Sequence, residues 1–425
     1  MTEKTLYPFQ DITITTLLSQ PSRHIVISST GSGKTVMAVK WAYGKIKATN
    51  KKKVLVVTTA SKANMVPNDF DHDCDEWNGE EFRARLEDWQ VVSWHKLKRW
   101  TDEHASHLSE YIYVFDEIAK AGAGVSSGMG RSFLRIASQT NDWTGFTATP
   151  GDTWIKFYPY FQATGKIKNK TEFRRDYCNE RTYKGFPEIV GYYHEDRLKR
   201  WWGEISIAVD TSQMMKELPK ETHRVITYKK PSTYKKTKET LIAPDGTFLE
   251  TTGALCAELR RQCFTKDKKA WIKDFIENND DGAVFFYNFV KTGDEIEKII
   301  DKALDEKHKG PKYIYRPRIW RIDGAHHDIP TTDTYHKGDI VIAQYQSGSE
   351  ALNLQFIHYW VAVELCYSYS TAVQARGRVK RIGQKHPMLY VYLMTQGTIE
   401  QAILKCLRNK SDFAEDVWAE GIIEQ

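Results

Sequence analysis

The chain has 425 residues, too many for one ordinary core and suited to two or three domains. With 41% apolar and 27% charged residues and a formal net charge of +6, it reads as a globular protein whose mild basic excess is compatible with a polyanionic partner. No run approaches the ~20 apolar residues of a membrane span, Met1–Thr5 lacks the apolar core of a signal peptide, and the six scattered cysteines form no Cys-x-x-Cys pair. Such cysteines are expected as free thiols of a reducing cytoplasm; a zinc site is the sharper alternative, and the spacing speaks against it.

In chain order, Ile25-Val26-Ile27 predicts a strand, followed by a Gly-rich loop and a helix over Val36–Ile46. Further strands are predicted at Val54–Val57, Gln90–Ser93, Tyr111–Phe115 and Trp143–Thr147. From about 156 to 240 the rhythm breaks into a segment rich in Lys, Arg and aromatics, read as a largely helical insertion with a linker. From Leu255 it returns. Helices are expected at Asp267–Glu277, Gly293–Glu306 and Thr371–Arg378, and strands at Ala283–Tyr287, Trp320–Asp323, Asp339–Ala343, Tyr359–Val363 and Leu389–Leu393. Continuous apolar strands alternating with helices predict an α/β fold of two parallel-sheet domains in tandem. The expected boundaries are 1–155, 156–254 for the insertion and linker, 255–405, and 406–425 for a terminal helix and tail.

The chemistry starts at Ser29-Thr30-Gly31-Ser32-Gly33-Lys34-Thr35, between a strand and a helix. Small residues let backbone N–H groups curl around phosphate oxygens at a helix N-terminus. Lys34 is placed to reach β- and γ-phosphates, and the Thr35 hydroxyl to ligate Mg²⁺. The bland alternative, a Gly-rich turn before a helix, does not account for the Gly-Lys-Thr ending. Asp116-Glu117 closes an apolar strand, where Asp116 suits a metal and Glu117 suits orienting a water. Thr147-Ala148-Thr149-Pro150 ends another strand; in isolation it reads as a strand stopped by a Pro turn. The densest signal is Gln374 to Gln384, with Arg376, Arg378, Lys380 and Arg381 within six residues. On a helix, Arg378 and Arg381 would share a face. They are read as arginine fingers for a phosphoryl group, against the commoner fate of a solvated basic face.

Together these motifs resemble superfamily 2 helicases and translocases, within them the Snf2-like branch, over about residues 6–405. Leu6–Gln10 looks like the adenine-reading Q motif, Ser29–Thr35 motif I, and Thr58-Thr59-Ala60-Ser61 the nucleic-acid-contacting motif Ia. Asp116-Glu117 is similar to motif II, Thr147–Pro150 to motif III, and Val284–Asn288 to motif IV. Gly348–Leu354 resembles motif V, with Asn353 toward the ribose, and Gln374–Arg381 motif VI. Arg381-Ile382-Gly383-Gln384, Gly397–Gln401, Leu218–Thr222 and Leu259–Gln262 favour the Snf2-like branch. The small size is similar to that of phage-encoded members, which would place the chain in a host cytoplasm.

The resemblance implies two RecA-like P-loop domains and an ATP-dependent motor on nucleic acid, most readily duplex DNA, with ATP and Mg²⁺ as cofactors. Gln10, Thr30–Thr35, Asn353 and Gln374 would bind nucleotide, and Thr35 and Asp116 the metal. Lys34, Glu117, Arg378 and Arg381 would act in hydrolysis. Thr58, Thr59, Ser61, Asn288 and Ser347 are implied nucleic-acid contacts. Trp201 and Trp202, in the basic segment, either stack on bases or belong to a small aromatic core. Two departures stand out. Ala119 occupies the fourth motif II position, where the family has His or Asp that links hydrolysis to nucleic-acid binding. Ala351 replaces a usual Gly in motif V. A nucleotide-gated clamp with little turnover, and a P-loop ATPase acting on protein, are the competing readings.

Overall fold

Runs of β-branched and aromatic residues build two six-stranded sheets among the described residues, and every pairing within each is parallel. The computed structural model describes residues 5–64, 68–122, 128–183, 186–309, 315–349 and 352–420. The chain divides into two units, residues up to Met215 with those from Lys410, and Lys216–Asn409.

In the first unit the strands are β1 (His24–Ile27), β2 (Lys53–Thr58), β3 (Asp88–Ser93), β4 (Tyr111–Asp116), β5 (Trp143–Thr147), an antiparallel hairpin of β6 (Cys178–Tyr183) and β7 (Phe186–Tyr192), and β8 (Ser206–Ala208). The sheet order is β3-β2-β4-β5-β1-β8. Both faces are buried, as parallel sheets require. Ile25, Leu55, Val57, Tyr113 and Phe115 point to one side, and Val26, Val54, Val56, Ile112 and Val114 to the other. The helix Lys34–Ala48 covers the second side with Met37, Val39 and Trp41. The first side is covered by aromatics that include Phe133, Trp154, Phe157, Tyr160 and Trp202.

The region read as one insertion is divided between the units. Residues 156–208 supply an aromatic cover for the first sheet and its edge strand β8. Residues 221–228 become β9 (Glu221–Tyr228), an edge strand of the second sheet. The segment is not only helical: β6 to β9 lie in it, besides helices such as Lys170–Tyr177 and Glu195–Ile205. Its aromatics look unpatterned in sequence because they pack on a sheet made elsewhere.

In the second unit follow β10 (Ala283–Tyr287), β11 (Ile319–Ile322), β12 (Ile340–Gln344), β13 (Tyr359–Ala362) and β14 (Met388–Thr395), ordered β11-β12-β10-β13-β14-β9. Alternation again sends Val284, Phe286 and Val341 to one core and Phe285, Tyr287 and Ile342 to the other. No helix among the described residues is long and apolar enough to cross a membrane.

Candidate functional site

In the first unit the ends of β1, β2, β4 and β5 carry the polar residues singled out above. In an open parallel sheet, ligands sit outside the carboxyl ends of the strands. The loop after β1 turns through two left-handed glycines, Gly31 at φ +80 and Gly33 at φ +78, and Gly33 caps the helix that begins at Lys34. Ser32 is buried; its hydroxyl donates to the Ser29 carbonyl at 2.8 Å and shares a 2.5 Å hydrogen bond with Ser28 Oγ. The Lys34 ammonium donates to the carbonyls of Ser28 (3.3 Å) and Ser29 (3.1 Å). Thr30 is half-buried in the loop, and Thr35 stands in the first turn of the helix. Gln10 braces the whole arrangement. Its Nε2 donates to the Ser32 carbonyl at 2.9 Å, and its Oε1 accepts from Tyr7 N at 3.0 Å.

Asp116, at the end of β4, is 1% exposed. Its Oδ2 accepts from the Thr58 hydroxyl at 2.7 Å and the Lys62 ammonium at 2.9 Å. Its backbone carbonyl accepts from Trp94 Nε1 at 2.8 Å. Burial works to raise this carboxyl, but the Lys62 and Thr58 partners outweigh it and hold Asp116 below the ordinary carboxylate range. Lys62 is raised: burial opposes its charge, and Asp116 and Glu117 more than compensate. Asp116 Oδ1 is buried with no hydrogen-bond partner. A buried carboxylate oxygen left over in this way suits a hard cation, so the residues fit Mg²⁺ held by Asp116 and Thr35.

Glu117 follows at φ +50, a left-handed conformation unusual for a residue with a side chain. The Thr147 hydroxyl at the end of β5 donates to Glu117 Oε2 at 3.4 Å and accepts from Thr149 N at 3.1 Å. The Thr-Ala-Thr-Pro stretch, bland when read alone, is thus joined to the acid pair. Ala119 opens a four-residue helix, Ala119–Gly122. Lys62 was missed in the sequence; the available signal was a cation three residues after Thr59 in motif Ia.

The second unit assembles its own cluster. Arg378 and Arg381 do not lie on a helix, contrary to expectation. The helix Tyr369–Arg376 stops at Gly377, and tight turns follow, with Val379 N bonded to the Arg376 carbonyl at 3.3 Å. Each guanidinium is instead fixed by carbonyls at the helix end, Arg378 Nε to Gln374 O at 3.1 Å and Arg381 Nε to Gly377 O at 3.1 Å. Arg381 also bonds Asn353 Oδ1, and Arg378 reaches the Leu352 carbonyl at 3.4 Å, so motifs V and VI meet. Gln374 is half-buried and Asn353 exposed. Ala351 lies outside the described residues.

The signature endings are architectural. Gln384 Nε2 donates to Ile357 O (2.8 Å) and Val379 O (3.2 Å). Glu400 forms a buried ion pair with Lys268 at 2.9 Å. A further group missed by sequence is Glu364, buried just after β13. Its carboxylate accepts from Asn288 N (2.6 Å), Phe289 N (3.3 Å) and Thr292 Oγ1 (2.8 Å), and burial raises it against those donors.

The candidate nucleic-acid residues separate. Thr58 is fully buried with its hydroxyl on Asp116, so it is a carboxylate partner rather than a surface contact. Thr59 caps the short helix Ala60–Ala63, and its hydroxyl lies 3.0 Å from Ser61 Oγ. The Asn288 side chain donates to the Leu365 carbonyl at 3.1 Å, and Ser347 is half-buried on the helix Tyr345–Gly348. Trp202 is fully buried against Phe157 and Tyr160, which removes it as a stacking platform; Trp201 is half-buried against Phe161 and Tyr177.

Residues 3–152 match the protein family described as type III restriction enzyme, res subunit. Over 97% of its length the chain is 22% identical to a Drosophila melanogaster protein named SWI/SNF-related matrix-associated actin-dependent regulator of chromatin subfamily A-like protein 1. The chain resembles the Snf2-like branch of superfamily 2. The alignment covers 56% of that Drosophila protein, so the chain spans about half the length of its relative. A second relative, the uncharacterized ATP-dependent helicase YqhH of Bacillus subtilis (strain 168), is 31% identical over 80 residues, 19% of this chain and 14% of that protein. Among solved structures, the Sulfolobus solfataricus SWI2/SNF2 ATPase core in complex with dsDNA aligns over 98% of this chain and 95% of its own, with 15% identity and a TM-score of 0.43.

Proposed function

We propose that the chain is an ATP-hydrolysing motor that moves on nucleic acid, with duplex DNA as its track. The observation that carries this is the convergence, at the carboxyl ends of the inner strands of the first sheet, of the Gly31–Thr35 loop, the buried Asp116 with its unpartnered Oδ1, and Glu117 tied to Thr147. Loop N–H groups and Lys34 bind the triphosphate, with the start of the Lys34–Ala48 helix facing its charge. Gln10 uses one amide N–H and one carbonyl lone pair on its neighbours. An amide offers two of each, so the remaining pair can read an adenine edge. Mg²⁺, held by Thr35 and Asp116, would supply charge neutralisation at the phosphates. Glu117 orients the attacking water.

Arg378 and Arg381 supply the cations that stabilise charge on the transferring phosphoryl group. Asn353, bonded to Arg381, and Gln374, whose carbonyl holds Arg378, set their direction. Thr59, Ser61, Asn288 and Ser347 provide the nucleic-acid contacts, made mainly to phosphates. The relatives' names, one ATP-dependent helicase and one SWI/SNF-related protein, support the same reading.

The test is ATP hydrolysis with no nucleic acid, duplex DNA, single-stranded DNA or RNA, beside a Lys34→Ala variant. Stimulation by duplex DNA, abolished in Lys34→Ala, is expected. A rate indifferent to every nucleic acid and to Lys34 would overturn the motor. Tight binding of both ligands with no turnover would make the chain a nucleotide-gated clamp.

A further inference from the structure

The two oxygens of Asp116 are divided between different tasks. Oδ2 is taken by Thr58 and Lys62, while Oδ1 is buried and open. Lys62 is not a surface cation passing by: its side chain is 16% exposed and its carboxylate partner 1%. It sits in the four-residue helix Ala60–Ala63, whose cap, Thr59, accepts from Lys62 N at 3.4 Å and touches Ser61 at 3.0 Å. One short turn therefore carries candidate phosphate contacts at its start and a grip on the cation carboxylate at its end. Three residues after Asp116, Ala119 has no side-chain charge or hydrogen-bonding group to transmit anything.

An ammonium on Oδ2 has two effects on a cation approaching Oδ1. It orients the carboxylate, and it cancels part of the charge that would attract the cation. A nucleic-acid phosphate arriving at Thr59 and Ser61 brings a second anion to the same turn, and that anion competes with Asp116 for Lys62. Resting on the motor reading above, we propose that Lys62 is the positioning residue that couples nucleic-acid binding at Thr59–Ser61 to the strength with which Asp116 holds its cation. It would do the work left undone at Ala119. By reciprocity, a cation at Asp116 releases Lys62 toward the nucleic acid and tightens that contact by the same factor.

The full chain is titrated with Mn²⁺ and a non-hydrolysable ATP analogue, free Mn²⁺ being followed by electron paramagnetic resonance, with and without a short duplex DNA at low salt. In the unaltered chain the duplex should tighten Mn²⁺ binding by roughly 10-fold, within the usual range of coupling between sites. In Lys62→Met that ratio should fall to about 1, with Mn²⁺ held more tightly even without DNA, as expected when one of two competing cations is removed. Lys62→Gln, which keeps a hydrogen bond but no charge, should behave alike and decides the matter if Lys62→Met melts below the working temperature. The same ratio in the variants as in the unaltered chain overturns the proposal, as does a ratio of 1 in an unaltered chain that binds both ligands. An unaltered chain that binds no nucleotide or no nucleic acid instead overturns the motor reading.

Discussion

The hydroxyl of Thr147 donates to the Glu117 carboxylate at 3.4 Å, joining the ends of two adjacent strands, β4 and β5, by their side chains. Glu117 departs from ordinary backbone geometry at φ +50, so its direction depends on such partners. Thr147→Val keeps the shape and removes the donor. If Glu117 positions the attacking water, kcat for ATP should fall by about 10-fold, which corresponds to ~1.4 kcal/mol of transition-state stabilisation. KM should stay within about 2-fold, since uniform binding is untouched. Steady-state kinetics with saturating nucleic acid checks this, and an unchanged kcat would refute the assigned role.

Gly33 combines a backbone and a steric requirement. Its φ is +78, and a Cβ placed there would stand 2.4 Å from Gln10 Nε2. Gly33→Ala therefore strains the loop by ~1–2 kcal/mol and displaces the Gln10 brace. Nucleotide affinity should drop by at least about 10-fold, the factor that ~1.4 kcal/mol represents. Combining it with Gln10→Ala should cost less than the sum of the single changes, because the collision is then gone. A fluorescent nucleotide titration of the three variants measures both effects; strict additivity would show that the two residues do not meet.

Glu221, first residue of β9, pairs with Lys380 at 3.0 Å and lies 3.9 Å from the His223 imidazole. His223 first, then Lys380, hold its carboxyl down at about 2. A carboxyl lowered on folding contributes stability that is complete above its unfolded value, ~4.3. That contribution is lost as pH falls through this window toward about 2. Glu221→Gln should flatten the acid decline of stability between these limits, without changing the slope near neutrality. Denaturant midpoints measured from pH 6 downward read this, and parallel curves for the two proteins would count against the pairing.

Much of the α/β framework was legible because its signals are local. β1, β2 and β4 are built on runs of apolar residues, and β1, the Gly loop and the helix from Lys34 announce themselves by composition. Long-range consequences were hidden. Nothing near Thr58 says that its hydroxyl is spent on Asp116, 58 residues away. The helix expected to carry Arg378 ends earlier, because Gly377 and the following turns break a pattern that reads as one basic stripe. The division of 156–254 was invisible because β8 and β9 are edge strands, and an edge strand's partner is chosen by the sheet it joins.

The same hidden packing decides what Trp202 does. Its ring is fully buried, edge-on to Phe157 at 4.7 Å and 5.9 Å from Tyr160, on the aromatic side of the first sheet. Trp201, its neighbour on the helix Glu195–Ile205, is half-buried, 5.6 Å from Phe161 and 5.4 Å from Tyr177. Truncating a fully packed Trp typically costs ~3–5 kcal/mol, so Trp202→Ala should lower the melting temperature markedly. Trp201→Ala should lower it less, because more of that ring is already in water. Nucleic-acid affinity per folded molecule, measured well below the melting temperature, should survive Trp202→Ala, since a ring sealed in the core has no face to stack. A Trp202→Ala protein with unaltered melting and lost affinity would reverse the assignment and return this residue to the nucleic-acid surface.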